Sequence, residues 1–154
     1  QGTHTECLGH VTRERVDLPV AEQPGWVLML LATVEPLQQP NGDQTVEAPA
    51  LLAALAAAGG VHWMGQKPAV ALRTGAADRE ARLQRQHSRA NSPYWTPEAM
   101  EALVQMGIDW LLVEEPSVDR EEDEGALVAH RAFWGLEPGE TEVERAQRPH
   151  ALLT

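Results

Sequence analysis

Three side chains near the start of the chain could together hold a metal ion. His4, Glu6 and His10 fall close together beside a flexible glycine, with Leu8 between the last two. On a strand, alternate side chains share a face, so all three would point the same way. Two imidazoles and a carboxylate on one face suit zinc, manganese or iron. An exposed polar strand end or a frayed terminus would show the same pattern. Cys7 falls on the opposite face with no base implied beside it, which is the setting of a packed or passive thiol.

The elements that must position these residues follow in order. Residues 11–25 mix charge with Pro19 and Pro24 and read as an irregular connection. Residues 26–34 form an apolar run between Pro24-Gly25 and Pro36, the pattern of a strand buried on both faces. Pro40-Asn41-Gly42-Asp43 marks a turn. Residues 48–58, rich in Ala and Leu with Pro49 near the start and Gly59-Gly60 beyond the end, predict a packed helix. His62 and Trp63 follow, as pocket wall or as packing. Residues 67–75 read as a second buried strand, and the charged residues 78–87 as a solvated helix or a loop. Thr96 is an N-cap, Pro97 a first helical residue, and Ala99, Leu103 and Met106 an apolar stripe that Gly107 stops. Residues 108–113 read as a third strand, and residues 126–134 as a helix carrying His130 beside Leu127, Phe133 and Trp134. Residues 149–154 read as an interrupted strand. The recurrence of strand, helix and strand implies an α/β layer fold with some parallel pairing.

Composition narrows the function. The chain has 154 residues, enough for a single domain with a real core. Its formal net charge of −11 argues against nucleic acid or an anionic membrane as a generic partner. One cysteine excludes an intrachain disulfide framework, and a cytoplasmic setting is the default. No signal-like segment opens the chain, and the apolar run is too short to span a bilayer. The absent initiator Met and the interrupted last strand lead us to expect one domain over residues 1–154, incomplete at both termini. Five of the twelve basic residues lie between Arg73 and Arg89, where a carboxylate-bearing substrate could find a partner, although a solvated surface explains them as well.

The opening stretch Gly2-Thr3-His4-Thr5-Glu6-Cys7-Leu8-Gly9-His10 resembles the signature of the metal-dependent cyclase/hydrolase family that includes bacterial kynurenine formamidase and isatin hydrolase. That signature runs His-x-Gly-Thr-His-x-Asp-x-Pro-x-His. Gly2, Thr3, His4 and His10 match in register, Glu6 stands at the Asp position, and Leu8 replaces the Pro. The first His would fall one position before Gln1. Further along, Pro116-Ser117-Val118-Asp119-Arg120 followed by Ala129-His130-Arg131-Ala132-Phe133-Trp134 is similar to the family's Ser-x-Asp loop and later histidine site. Asn91-Ser92-Pro93-Tyr94 ahead of a Thr-Pro-Glu helix fits the same group.

The resemblance implies a kynurenine formamidase-like swivelling β/α fold, with a mixed β-sheet or barrel-like core and flanking helices. It also implies a divalent metal, zinc or manganese, that lowers the pKa of a water for attack on an amide, formamide or lactam carbonyl. By match, His4, Glu6 and His130 would be metal ligands, and Glu6 could bridge two ions. His10 matches the catalytic acid/base that protonates the leaving nitrogen, or it could be a further ligand. Asp119 could hydrogen-bond a ligating histidine or cap the next helix, and the cap or scaffold role is the one expected. Glu142 is the available stand-in for a late glutamate but sits in a loop-like insertion. A small-molecule amide or lactam is the implied partner, and a homodimer or larger homo-oligomer the implied assembly. The alternative is a metal-binding or structural member without turnover; a dehydrating polyketide-type cyclase shares the family name without a distinct motif here.

Overall fold

A computed structural model describes residues 3–18, 27–60, 69–75, 79–87 and 89–154. His62 and Trp63 lie outside the described residues. The strands are β1 (Met29–Val34), β2 (Leu37–Gln38), β3 (Gln44–Val46), β4 (Ala69–Thr74), β5 (Tyr94–Trp95), β6 (Trp110–Val113) and β7 (Leu152–Leu153). The helices are α1 (Ala48–Ala57), α2 (Arg79–Leu83), α3 (Pro97–Gln105) and α4 (Val128–Trp134). The fold is α/β, as the alternation of elements implied. Strands β1-β4-β6-β7 form a sheet of parallel neighbours, and β2-β3-β5 a smaller mixed sheet. Among the described residues no helix is long and apolar enough to cross a membrane.

Helices α1 and α3 begin and end as their punctuation dictates. Pro49 and Pro97 stand in the first turns, and Thr96 Oγ1 accepts the backbone N–H of Ala99 at 3.3 Å. Gly107, at φ 74°, closes α3. The buried stripe of α3 is Ala99, Met100 and Leu103, whereas Met106 is its C-cap. One strand departs from its sequence pattern. Leu30, Ala32 and Val34 of β1 are buried, but Leu31 is 52 % exposed. β1 is an edge strand with α1 packed against it, so its alternate residues face opposite ways and only one face is sealed. The core fills the sealed side, where Leu51 of α1, Leu103, Trp95, Phe133 and Trp134 are buried and α3 packs on α1 and α4.

The sheet sets up a site. Parallel strands place their carboxyl ends at one edge, where chain segments leave the sheet and ligands commonly sit. The segment after β6 runs from Glu114 to Asp119 at that edge. Glu6 joins there through an isolated antiparallel bridge to Leu153 of β7, with Glu6 N–H donating to Leu153 O at 2.7 Å.

Candidate metal centre

The opening stretch is not the continuous strand its alternation suggested. Among its described residues only Glu6 makes a bridge, and Leu8–His10 then wind into a 3-10 turn. Leu8, fully buried, anchors that turn, and His10 N–H donates to Cys7 O at 2.9 Å. His10 therefore reaches Glu6 by the turn and not by strand alternation. Cys7 is passive, its Sγ donating to Val16 O at 3.1 Å. Gly9 is required by close approach: a Cβ there would lie 2.5 Å from Val16 O and 2.9 Å from Val16 N. Gly9→Ala is expected to cost about 1–3 kcal/mol, read as a lower urea midpoint, because backbone cannot give way as a flexible side chain can.

Three imidazoles surround the Glu6 carboxylate. His4 Nε2 lies 3.0 Å and His10 Nδ1 3.5 Å from Oε1, while His130 Nε2 lies 3.0 Å from Oε2. His130 is buried on α4 and packs against the His10 ring at 4.9 Å and the Trp134 ring at 5.9 Å. Asp119 holds it from behind. Its Oδ2 is 2.5 Å from His130 Nδ1 and accepts the His130 N–H at 3.2 Å, and its Oδ1 accepts the Ala129 N–H at 2.7 Å. The carboxylate thus caps α4 and also orients the ring, where the cap or a scaffold role was the one expected. The Nδ1 proton faces Asp119, which aims Nε2 at Glu6.

Electrostatics follow from this packing. Burial alone would raise the Glu6 carboxyl, but the His130 hydrogen bond and charge, the His10 charge and the His4 bond together hold it at about 2. Burial likewise opposes charge on His130, yet its bonds to Asp119 and Glu6 and their charges raise it to about 9. Asp119 is lowered, because its bonds to His130 and to two backbone N–H groups outweigh burial. His10 is lowered by burial, which the Glu6 charge offsets only in part.

Glu6, His10 and His130 each offer a donor atom within 4.8 Å of the others, and His4 adds a fourth donor against Glu6. Imidazole nitrogens around an ionised carboxylate are the donor set of zinc or manganese, and His130, held protonated by Asp119 and Glu6, would release its Nε2 proton on taking up the ion. A cavity of about 340 Å3 opens beside them, with His4, Glu6, His130, Glu114, Ser117 and Thr154 on its wall. His10 stands off that wall. Asp119→Asn should lower metal affinity about 10- to 100-fold, measured by chelator competition. The amide can donate to Nδ1, which favours the proton on Nε2, where the ion must bind.

Other residues resolve more simply. Glu142 pairs with Arg13 at 3.6 Å on the surface. His87 Nδ1 meets Ser92 Oγ at 3.3 Å and His150 Nε2 meets Asp109 at 3.1 Å, partners that sequence order did not supply. Sequence reasoning missed the group at the ends of β4 and β6. Thr74 Oγ1 bonds Glu115 Oε1, and Arg85 Nη1 pairs with Glu114 at 2.9 Å. Burial, with the nearby Glu114 charge, raises Glu115 to about 7 against the pull of Thr74 and Arg85. The signal was present: two glutamates directly after an apolar strand.

Residues 1–120 match the model of a family described as "Putative cyclase". No curated protein matches the chain. The match contains His4, Glu6, His10 and Asp119 and stops short of His130, whose place in the cluster rests on its contacts with Glu6 and Asp119.

Proposed function

The chain belongs to the cyclase family, which includes metal-dependent hydrolases, and from that membership we propose that it cleaves an amide, formamide or lactam bond with a metal-activated water, in the manner of an arylformamidase or isatin hydrolase. The observation that carries the reading is the ionised Glu6 carboxylate, ringed by three imidazoles at the wall of a cavity.

In this reading His4, Glu6 and His130 hold the ion. When bound, a divalent ion supplies Lewis-acid polarisation of water and of the carbonyl. Glu6 presents one oxygen to His4 and the other to His130, so it would contribute its negative charge to the ion that those rings would hold. Asp119 takes the Nδ1 side of His130, so Nε2, which meets Glu6, is the nitrogen that would turn to the ion. His10, whose proton affinity burial reduces, serves as the acid/base. It accepts a proton from the attacking water as the carbon–oxygen bond forms and returns it to the nitrogen as the carbon–nitrogen bond breaks.

The test is metal analysis followed by hydrolysis assays over formamides, lactams and isatin, with zinc and with manganese. Bound metal with turnover of at least one class is the expected result; neither metal nor turnover would sink the proposal. The position of His10 off the cavity wall favours a second reading, a metal-binding member without turnover. Metal uptake with no hydrolysis across the panel selects it.

A further inference from the structure

The cavity beside Glu6 does not end at its own wall. It shares His87, Pro116 and Ser117 with a second cavity, also about 340 Å3, whose far side carries Arg120, Glu121 and Asp123. Each volume is of the size that holds a ring or a short chain of a small ligand. His87 stands at the junction. Its ring is tethered within its own loop, Nδ1 meeting Ser92 Oγ at 3.3 Å and Ser92 Oγ donating to His87 O at 3.3 Å. Ser117 belongs to the segment that orients His130, since its Oγ accepts the Asp119 N–H at 3.1 Å.

The far side has a definite charge. The Arg120 guanidinium is already engaged by Asp43, at 3.1 and 3.4 Å. Glu121 accepts the Arg89 N–H at 2.7 Å, and Asp123 accepts those of Gly125 and Leu127. These donors are neutral backbone groups and bring no countercharge, while the nearby Arg120 cation is paired with Asp43. An anionic group entering there meets like charge, and an ammonium meets opposite charge.

We propose that His87 and Ser117 form the neck of a two-part cleft, and that the substrate is an elongated amide whose uncharged or amine-bearing arm passes His87 into the second cavity. The proposal rests on the hydrolase reading for the position of the reacting carbonyl. Its test reads binding and not turnover. The zinc-loaded protein is titrated with three uncleavable aryl methanesulfonamides: a phenyl probe, a biphenyl probe with a distal aminomethyl group, and its distal carboxylate counterpart.

The aminomethyl probe is expected to bind at least tenfold tighter than the phenyl probe and at least tenfold tighter than the carboxylate. His87→Phe should lower the long-to-short preference at least tenfold by filling the neck. His87→Ala, which opens it, should raise that preference and serves if the phenylalanine variant does not fold. No preference for the long probe, a tighter carboxylate, or a preference that moves less than threefold in the folded variants overturns the proposal. The matching formamides are assayed separately. Binding with these preferences but without cleavage defeats the hydrolase reading and leaves the cleft standing.

Discussion

Glu6→Gln is expected to abolish metal uptake and hydrolysis together. The substitution keeps the shape of the side chain but removes its charge and turns one acceptor oxygen into a donor. Outer partners of a metal site are worth about 10- to 100-fold in affinity, and Glu6 contacts all three imidazoles directly, so its loss should exceed that range. The metal-free protein should report the same contact. Glu6 is lowered from 4.5 to about 2 in the fold, which corresponds to about 3 kcal/mol. A depressed carboxyl contributes stability that is fully present above the unfolded value and is lost as pH falls through the folded one. Wild-type urea midpoints should therefore drop between about pH 4.5 and 2 through this group, and Glu6→Gln should remove that part of the drop. His130 titrates through the same contact, so its rise is not a second, independent gain. Unchanged metal affinity in Glu6→Gln would remove this carboxylate from the site.

His4→Ala and His10→Ala separate ligand from acid/base. Both rings meet the same carboxylate oxygen, His4 from the cavity wall and His10 from the 3-10 turn. In the proposed assignment, His4→Ala loses metal and activity together. His10→Ala keeps the metal and loses about 10²–10⁴-fold in kcat, the usual worth of a positioned acid/base. The trio of Glu6, His10 and His130 within 4.8 Å supports the opposite assignment. It requires metal loss in His10→Ala and metal retention in His4→Ala. Metal content and kcat measured on both variants decide between them.

The cluster was legible in part because residue type survives errors of local geometry. His4, Glu6 and His10 were grouped by assuming a strand, and a 3-10 turn groups them instead. The later histidine came from its Ala-His-x-Ala-Phe-Trp context, and its geometry depends on Asp119, eleven residues away and folded under α4. Helices α1 and α3 were readable because proline, threonine and glycine act locally. Solvent exposure of β1 was not, since an edge strand and a central strand share the same apolar composition and differ only in their neighbours. The two glutamates after β6 were in view, but their pairing with Thr74 was not, because parallel pairing of β4 with β6 brings these residues together across some forty positions.

The most direct measurement of the central claim is hydrolytic rate against metal occupancy in the stripped and reconstituted protein. Turnover should be negligible without metal and rise in proportion to the zinc or manganese bound, and Glu6→Gln should abolish both the uptake and the rate. A stripped protein that hydrolyses as fast as the loaded one, or occupancy that Glu6→Gln leaves intact, would contradict it.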